Sequence, residues 1–161
     1  MTVSVEIINQ LNDNYSYLIS NNENNSGIII DPAESNKILD VLKKKQLNLN
    51  YIFITHHHSD HTSGVAGLVK AYPEVKIFSP SKLNSFSVNL ISDGNTITTN
   101  LNEFEVIHAP GHTLDHIILC DQKNNVLLRE NCLPLLITPM LLSITIFISK
   151  HKFSKLFKIK K

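Results

Sequence analysis

The sequence predicts a mixed α/β fold, an α+β four-layer arrangement of two sheets with helices outside, and three observations predict it. Apolar runs of strand length recur along the chain, helix-period stretches fall between some of them, and a histidine cluster directly follows one run. At 161 residues the chain is long enough for one domain with a real core. A hydrophobic content of 42% and a charged content of 18% belong to an ordinary globular protein, not a disordered one.

Residues 3–7 alternate apolar and polar, and residues 15–19 follow after the polar turn Asn12-Asp13-Asn14; both read as strands. A polar loop then leads to residues 27–30, a strand of the fully buried type ending at Asp31-Pro32. Ser35 is placed to cap a helix whose apolar face is Ile38, Leu39, Val41 and Leu42. Lys43, Lys44 and Lys45 stand where the helix dipole favours cations. Residues 51–54 form a second continuous apolar run, residues 64–71 a second helix. Further strands are expected at residues 75–78, 95–98, 104–107, 117–120 and 126–128.

Net charge is +1, but six of the 15 basic residues lie in the last twelve positions, as Lys150, Lys152, Lys155, Lys158, Lys160 and Lys161. Without them nine basic residues face 14 acidic ones, a balance of −5. Such a body argues against nucleic acid as a partner, because phosphate binding needs clustered positive charge. The start of the chain has no basic, apolar and cleavable pattern of a signal peptide. Two cysteines, Cys120 and Cys132, are too few for a disulfide framework, so a cytoplasmic location is expected.

The chemistry sits in two clusters. In Thr55-His56-His57-His58-Ser59-Asp60-His61, alternate residues on a strand or its extension point to one side. His56 and His58 can therefore converge on one ion while His57 faces away. Asp60 and His61, adjacent on a tight turn, can reach a second point nearby. Imidazole and carboxylate without thiolate is the donor set of a catalytic zinc or iron site rather than a structural one. The second cluster is Ala109-Pro110-Gly111-His112-Thr113-Leu114-Asp115-His116, in which a Pro-Gly turn presents His112 just past a strand end. His112 is the natural third imidazole for the first ion. His116 is expected in a supporting role, and His108 as a half-buried strand terminus.

Together these motifs resemble the metallo-β-lactamase superfamily, and within it the glyoxalase II (hydroxyacylglutathione hydrolase) group. Asp13-Asn14-Tyr15, the triple histidine after Thr55, Ser92-Asp93-Gly94-Asn95-Thr96-Ile97 and Pro110-Gly111-His112-Thr113 carry the likeness over roughly residues 5–133. The resemblance implies an αββα sandwich, here incomplete, with a catalytic domain in residues 1–131. It also implies two zinc ions, the first on His56, His58 and His112 and the second on Asp60 and His61. Asp60 would in addition orient the water that attacks a glutathione thioester.

Two departures qualify this. The family's bridging carboxylate should follow the strand at 126–128, but Leu128-Arg129-Glu130-Asn131-Cys132 puts Asn131 in its place. The family's last histidine ligand has no counterpart; His151 lacks the flanking Gly and Glu. An amide between two cations offsets none of their repulsion, so one zinc or none is expected to be held tightly. The family's helical C-terminal domain, which supplies much of the glutathione surface, is also expected to be missing.

Residues 132–149 carry no charge and contain Pro134 and Pro139, and the lysine-rich tail follows them. Decayed or out-of-frame sequence, a degenerate strand pair and a membrane helix compete as readings. The prolines with Thr138, Ser143 and Thr145 count against a membrane span. The function expected by descent is thioester hydrolysis, impaired. A non-enzymatic remnant binding one zinc and another hydrolase of the same fold are the alternatives.

Overall fold

The computed structural model of the chain describes residues 3–121, 123 and 126–128. Six strands form the first sheet, in the order β1 (Ser4–Gln10), β2 (Asn14–Asn21), β3 (Ser26–Ile30), β4 (Asn48–Phe53), β5 (Lys76–Ser79) and β6 (Asn89–Leu90). The pairs β1–β2 and β2–β3 are antiparallel, and β3 through β6 run parallel. A second, antiparallel sheet has the order β10 (Val126–Leu128), β9 (Ile117–Asp121), β8 (Glu103–His108), β7 (Thr96–Thr98).

The apolar runs explain the layering. In β3 all five residues are buried, because successive side chains face opposite layers. Ile28 and Ile30 join Tyr17, Ile19 and Phe53 against Phe104, Val106, Ile117 and Leu119 of the second sheet. Ile29 joins Leu18, Ile52 and Ile54 against Ile38, Leu42, Val65 and Leu68 of helices α1 (Ser35–Lys44) and α3 (Val65–Ala71). The described residues thus build three layers: helices, first sheet, second sheet.

Helix α1 shows how local chemistry sets its ends. Its N-cap is Glu34, not Ser35 as the sequence suggested, and no side chain caps it. The Glu34 N–H instead donates to Gln10 Oε1 on β1 (2.7 Å), so a long-range partner does the work of a cap. At the other end Gln46 takes a left-handed conformation (φ 55°). Its N–H donates to Lys43 O (3.1 Å), and Leu47 N–H donates to Leu42 O (2.9 Å). This pair of bonds is the Schellman closure, with Leu47 buried in the helix-side core.

Strand β1 continues to Gln10, three residues beyond the expected end, and β6 was not anticipated. His108 is exposed rather than half-buried. It ends β8, where its N–H donates to Asp93 Oδ1 (2.7 Å) and its ring nitrogen to Leu114 O (2.8 Å). Among the described residues no helix is long and apolar enough to cross a membrane. The expected boundary at 131, the tail 132–161, Asn131 and His151 lie outside the described residues.

Candidate metal centre

The parallel strands β3, β4 and β5 end together, and their carboxyl ends are where an α/β sheet opens to a ligand. From β4 the chain passes through Ile54 and Thr55 into His56, His57 and His58, then into the single-turn helix α2 (Ser59–Thr62). The turn expected at Asp60 and His61 is this helix. The loop between β8 and β9 arrives from the second sheet, and Ile117 N–H donates to Thr55 O (3.0 Å), joining the two histidine segments.

His56, His58 and His112 come together. Their candidate ligand atoms all lie within 4.8 Å of one another, His56 buried, His58 intermediate and His112 exposed. His58 Nδ1 and His112 Nε2 are 3.0 Å apart. Two nitrogens bound to one tetrahedral ion at about 2.0–2.1 Å would be separated by roughly 3.4 Å, so a metal fits between them with a small shift.

Asp60 and His61 also meet, with His61 Nε2 3.2 Å from Asp60 Oδ2. The His61 ring lies 4.3 Å from that of His56, centroid to centroid, which sets this pair directly beside the triad. Asn14, at the start of β2, donates its amide Nδ2 to Asp60 Oδ2 (2.8 Å).

Beneath these groups lies Asp31, which in the sequence marks only the end of a strand. It is buried and left-handed (φ 52°), a conformation that Asp tolerates better than most residues. Its Oδ1 accepts the Thr55 N–H (2.8 Å), its Oδ2 accepts the Thr55 hydroxyl (2.7 Å), and Oδ2 stands 3.2 Å from His61 Nδ1. Its own N–H donates to Phe53 O and its carbonyl accepts the Ser16 hydroxyl.

Tautomers follow from these bonds. Thr55 Oγ1 has one proton and gives it to Asp31, so towards His56 Nδ1 (3.1 Å) it can only accept. His56 therefore carries its proton on Nδ1 and offers the Nε2 lone pair. His61 stands between two carboxylates, with Asp31 Oδ2 beside Nδ1 and Asp60 Oδ2 beside Nε2, each at 3.2 Å. Three imidazoles turned to one small region are a donor set that fits a divalent ion.

His57 faces away from the triad, as alternation requires, yet it has a partner. Its Nδ1–H donates to Asp115 Oδ1 (2.9 Å), and Asp115 Oδ2 accepts the Ser81 hydroxyl (2.6 Å). Partial burial pushes the Asp115 carboxyl upward, but the hydrogen bonds from Ser81 and His57, with Thr113 close by, outweigh it. The group is held well below the usual carboxylate range. His116 is buried and donates its Nδ1–H to Ala109 O (3.2 Å), with its ring 5.4 Å from His56.

A model of the metallo-beta-lactamase superfamily matches residues 11–129, which include every residue of this centre. The chain belongs to the metallo-beta-lactamase superfamily. Within that superfamily it is 43% identical over 108 residues to a hydroxyacylglutathione hydrolase of Pectobacterium carotovorum. That match covers 66% of this chain and 43% of that protein. It is 36% identical over 122 residues to the hydroxyacylglutathione hydrolase of Pseudoalteromonas translucida, covering 75% of this chain and 48% of that protein. The chain thus spans about half the length of the curated relatives it matches.

Solved structures of the superfamily share the fold. The B3 metallo-beta-lactamase BLEG-1 superposes with a TM-score of 0.66 at 21% identity, covering 77% of this chain and 70% of that one. ETHE1 from Myxococcus xanthus gives 0.63 at 22%, covering 79% and 56%. At such identities the likeness concerns the fold and carries no activity with it.

Proposed function

We propose that this chain carries the histidine-rich part of a zinc-dependent thioester hydrolase site acting on hydroxyacylglutathione. The observation that carries the reading is the convergence of His56, His58 and His112 beside the Asp60–His61 pair. The names of the curated relatives point the same centre at a glutathione thioester such as S-lactoylglutathione.

Zinc in such a site supplies Lewis acidity, lowering the pKa of water and stabilising negative charge on a carbonyl oxygen. The chain's own groups do the rest. His56, His58 and His112 would hold the first ion, and Asp31 fixes the ring of His56 through Thr55. Asp60 and His61 contribute to the second position. Asp60, whose Oδ2 accepts from Asn14, has a side chain 42% exposed to the solvent from which a water would be drawn.

Asn131 stands by motif at the family's bridging carboxylate, and this favours a second reading: a one-zinc protein with little or no hydrolysis. Two measurements separate the readings. Turnover of S-lactoylglutathione by the zinc-loaded chain, abolished in His58→Ala, supports the hydrolase. Absence of turnover at full zinc occupancy supports the one-zinc binder, and two tightly held ions per chain contradict the weakened second site.

A further inference from the structure

We infer that Asp115 is a positioning residue for the metal centre, latching the loop of His112 to the histidine loop through His57 and to the β5–β6 loop through Ser81. The inference rests on the metal-site reading above and adds a residue that touches no proposed ligand.

His112 is exposed. Its ring meets those of His56 and His58, but the loop that carries it, with Pro110 and Gly111 also exposed, needs anchoring to hold the ring there. Internal bonds shape this loop: Ala109 N–H to His116 O (2.9 Å), Gly111 N–H to Thr113 O (3.1 Å) and His108 to Leu114 O (2.8 Å). They define its conformation but not its place over the first sheet. The bond from Ile117 N–H to Thr55 O ties down its far end.

Asp115 adds two ties within three residues of His112. Its Oδ1 accepts from His57 Nδ1 (2.9 Å) and its Oδ2 from Ser81 Oγ (2.6 Å), so one carboxylate spans three loops. The neighbouring residues show that this is a specific placement. Leu114 is 88% exposed, whereas the Asp115 side chain is 18% exposed. His57 is itself flanked by His56 and His58, so a pull on its ring acts on the strand extension that carries both. A charged acceptor with two oxygens is suited to such a joint, since each takes a separate donor.

Cobalt(II) titration of the metal-stripped full chain tests this, because cobalt reports affinity and coordination geometry in one visible spectrum. Asp115→Ala and His57→Ala should each weaken cobalt binding roughly 10–100-fold and lower the intensity of the visible bands. His57→Asn, whose amide nitrogen can replace Nδ1, should restore both. Wild-type affinity and spectrum in the two alanine variants would overturn the latch. His112→Ala is the control on the underlying reading: if it leaves cobalt binding unchanged, the metal site itself is wrong. Should Asp115→Ala fail to fold, His57→Ala and Ser81→Ala still decide the question.

Discussion

Asp31 Oδ2 lies 3.2 Å from His61 Nδ1 while the same oxygen accepts the hydroxyl of Thr55. One buried carboxylate thereby orients a histidine of each proposed metal position, His61 directly and His56 through Thr55. The β3–α1–β4 crossover makes this possible, because it brings the ends of two parallel strands side by side.

Asp31→Asn isolates the charge, since Asn tolerates the left-handed backbone that Ala would strain. The variant should lose about 1–3 kcal/mol in urea unfolding of the metal-free chain. It should also lose roughly 10–100-fold in zinc affinity. Unchanged values of both would remove Asp31 from the account.

Asn14 donates to Asp60 Oδ2 at 2.8 Å, bridging the first hairpin to the second proposed position. Asn14→Ala should cost about 1 kcal/mol of stability. Asn14→Asp should cost more in metal-free protein, because it sets one carboxylate against another. Equal losses in the two variants would mean that Asp60 does not feel residue 14.

Helices α1 and α3 meet at a glycine. A Cβ on Gly67 would come within 2.5 Å of Ser35 Cβ, and one on Gly64 within 2.8 Å of Pro32 O. Gly67→Ala should destabilise the chain by about 1–3 kcal/mol, as overpacking does, and Ser35→Gly should recover part of the loss. No such rescue is available at Gly64, whose neighbour is backbone. Denaturant midpoints of the single and double variants give the answer.

Cys120 lies in β9, where burial first, then the nearby carboxylates of Glu105 and Asp121, push its thiol up. The thiolate is the reactive form, so native Cys120 should resist alkylation at pH 8. In a Cys132→Ser chain, iodoacetamide labelling should be about tenfold or more slower in buffer than in urea. Comparable rates in the two conditions would show that the second sheet leaves Cys120 accessible.

Much of this was legible in the chain because the signals are local. The apolar runs at residues 27–30 and 51–54 announce strands, of which β3 is buried throughout and β4 at Leu49, Ile52 and Phe53, and the histidine spacing announces convergence. What escaped depends on distance. His57 and Asp115 are 58 positions apart, and Asp31 reads in isolation as the end of a strand. Strand β6 has two exposed residues and hence no hydrophobic pattern. The N-cap slipped from Ser35 to Glu34 because Gln10, on another strand, satisfies the helix start.

Zinc titration of the metal-stripped chain, compared with His112→Ala, is the most direct measurement of the central claim. If His56, His58 and His112 share one ion, the wild-type chain binds zinc and the variant loses most of that affinity, on the order of 100-fold or more. The same zinc affinity in both proteins would contradict the account, because the imidazole brought from the second sheet would then hold nothing.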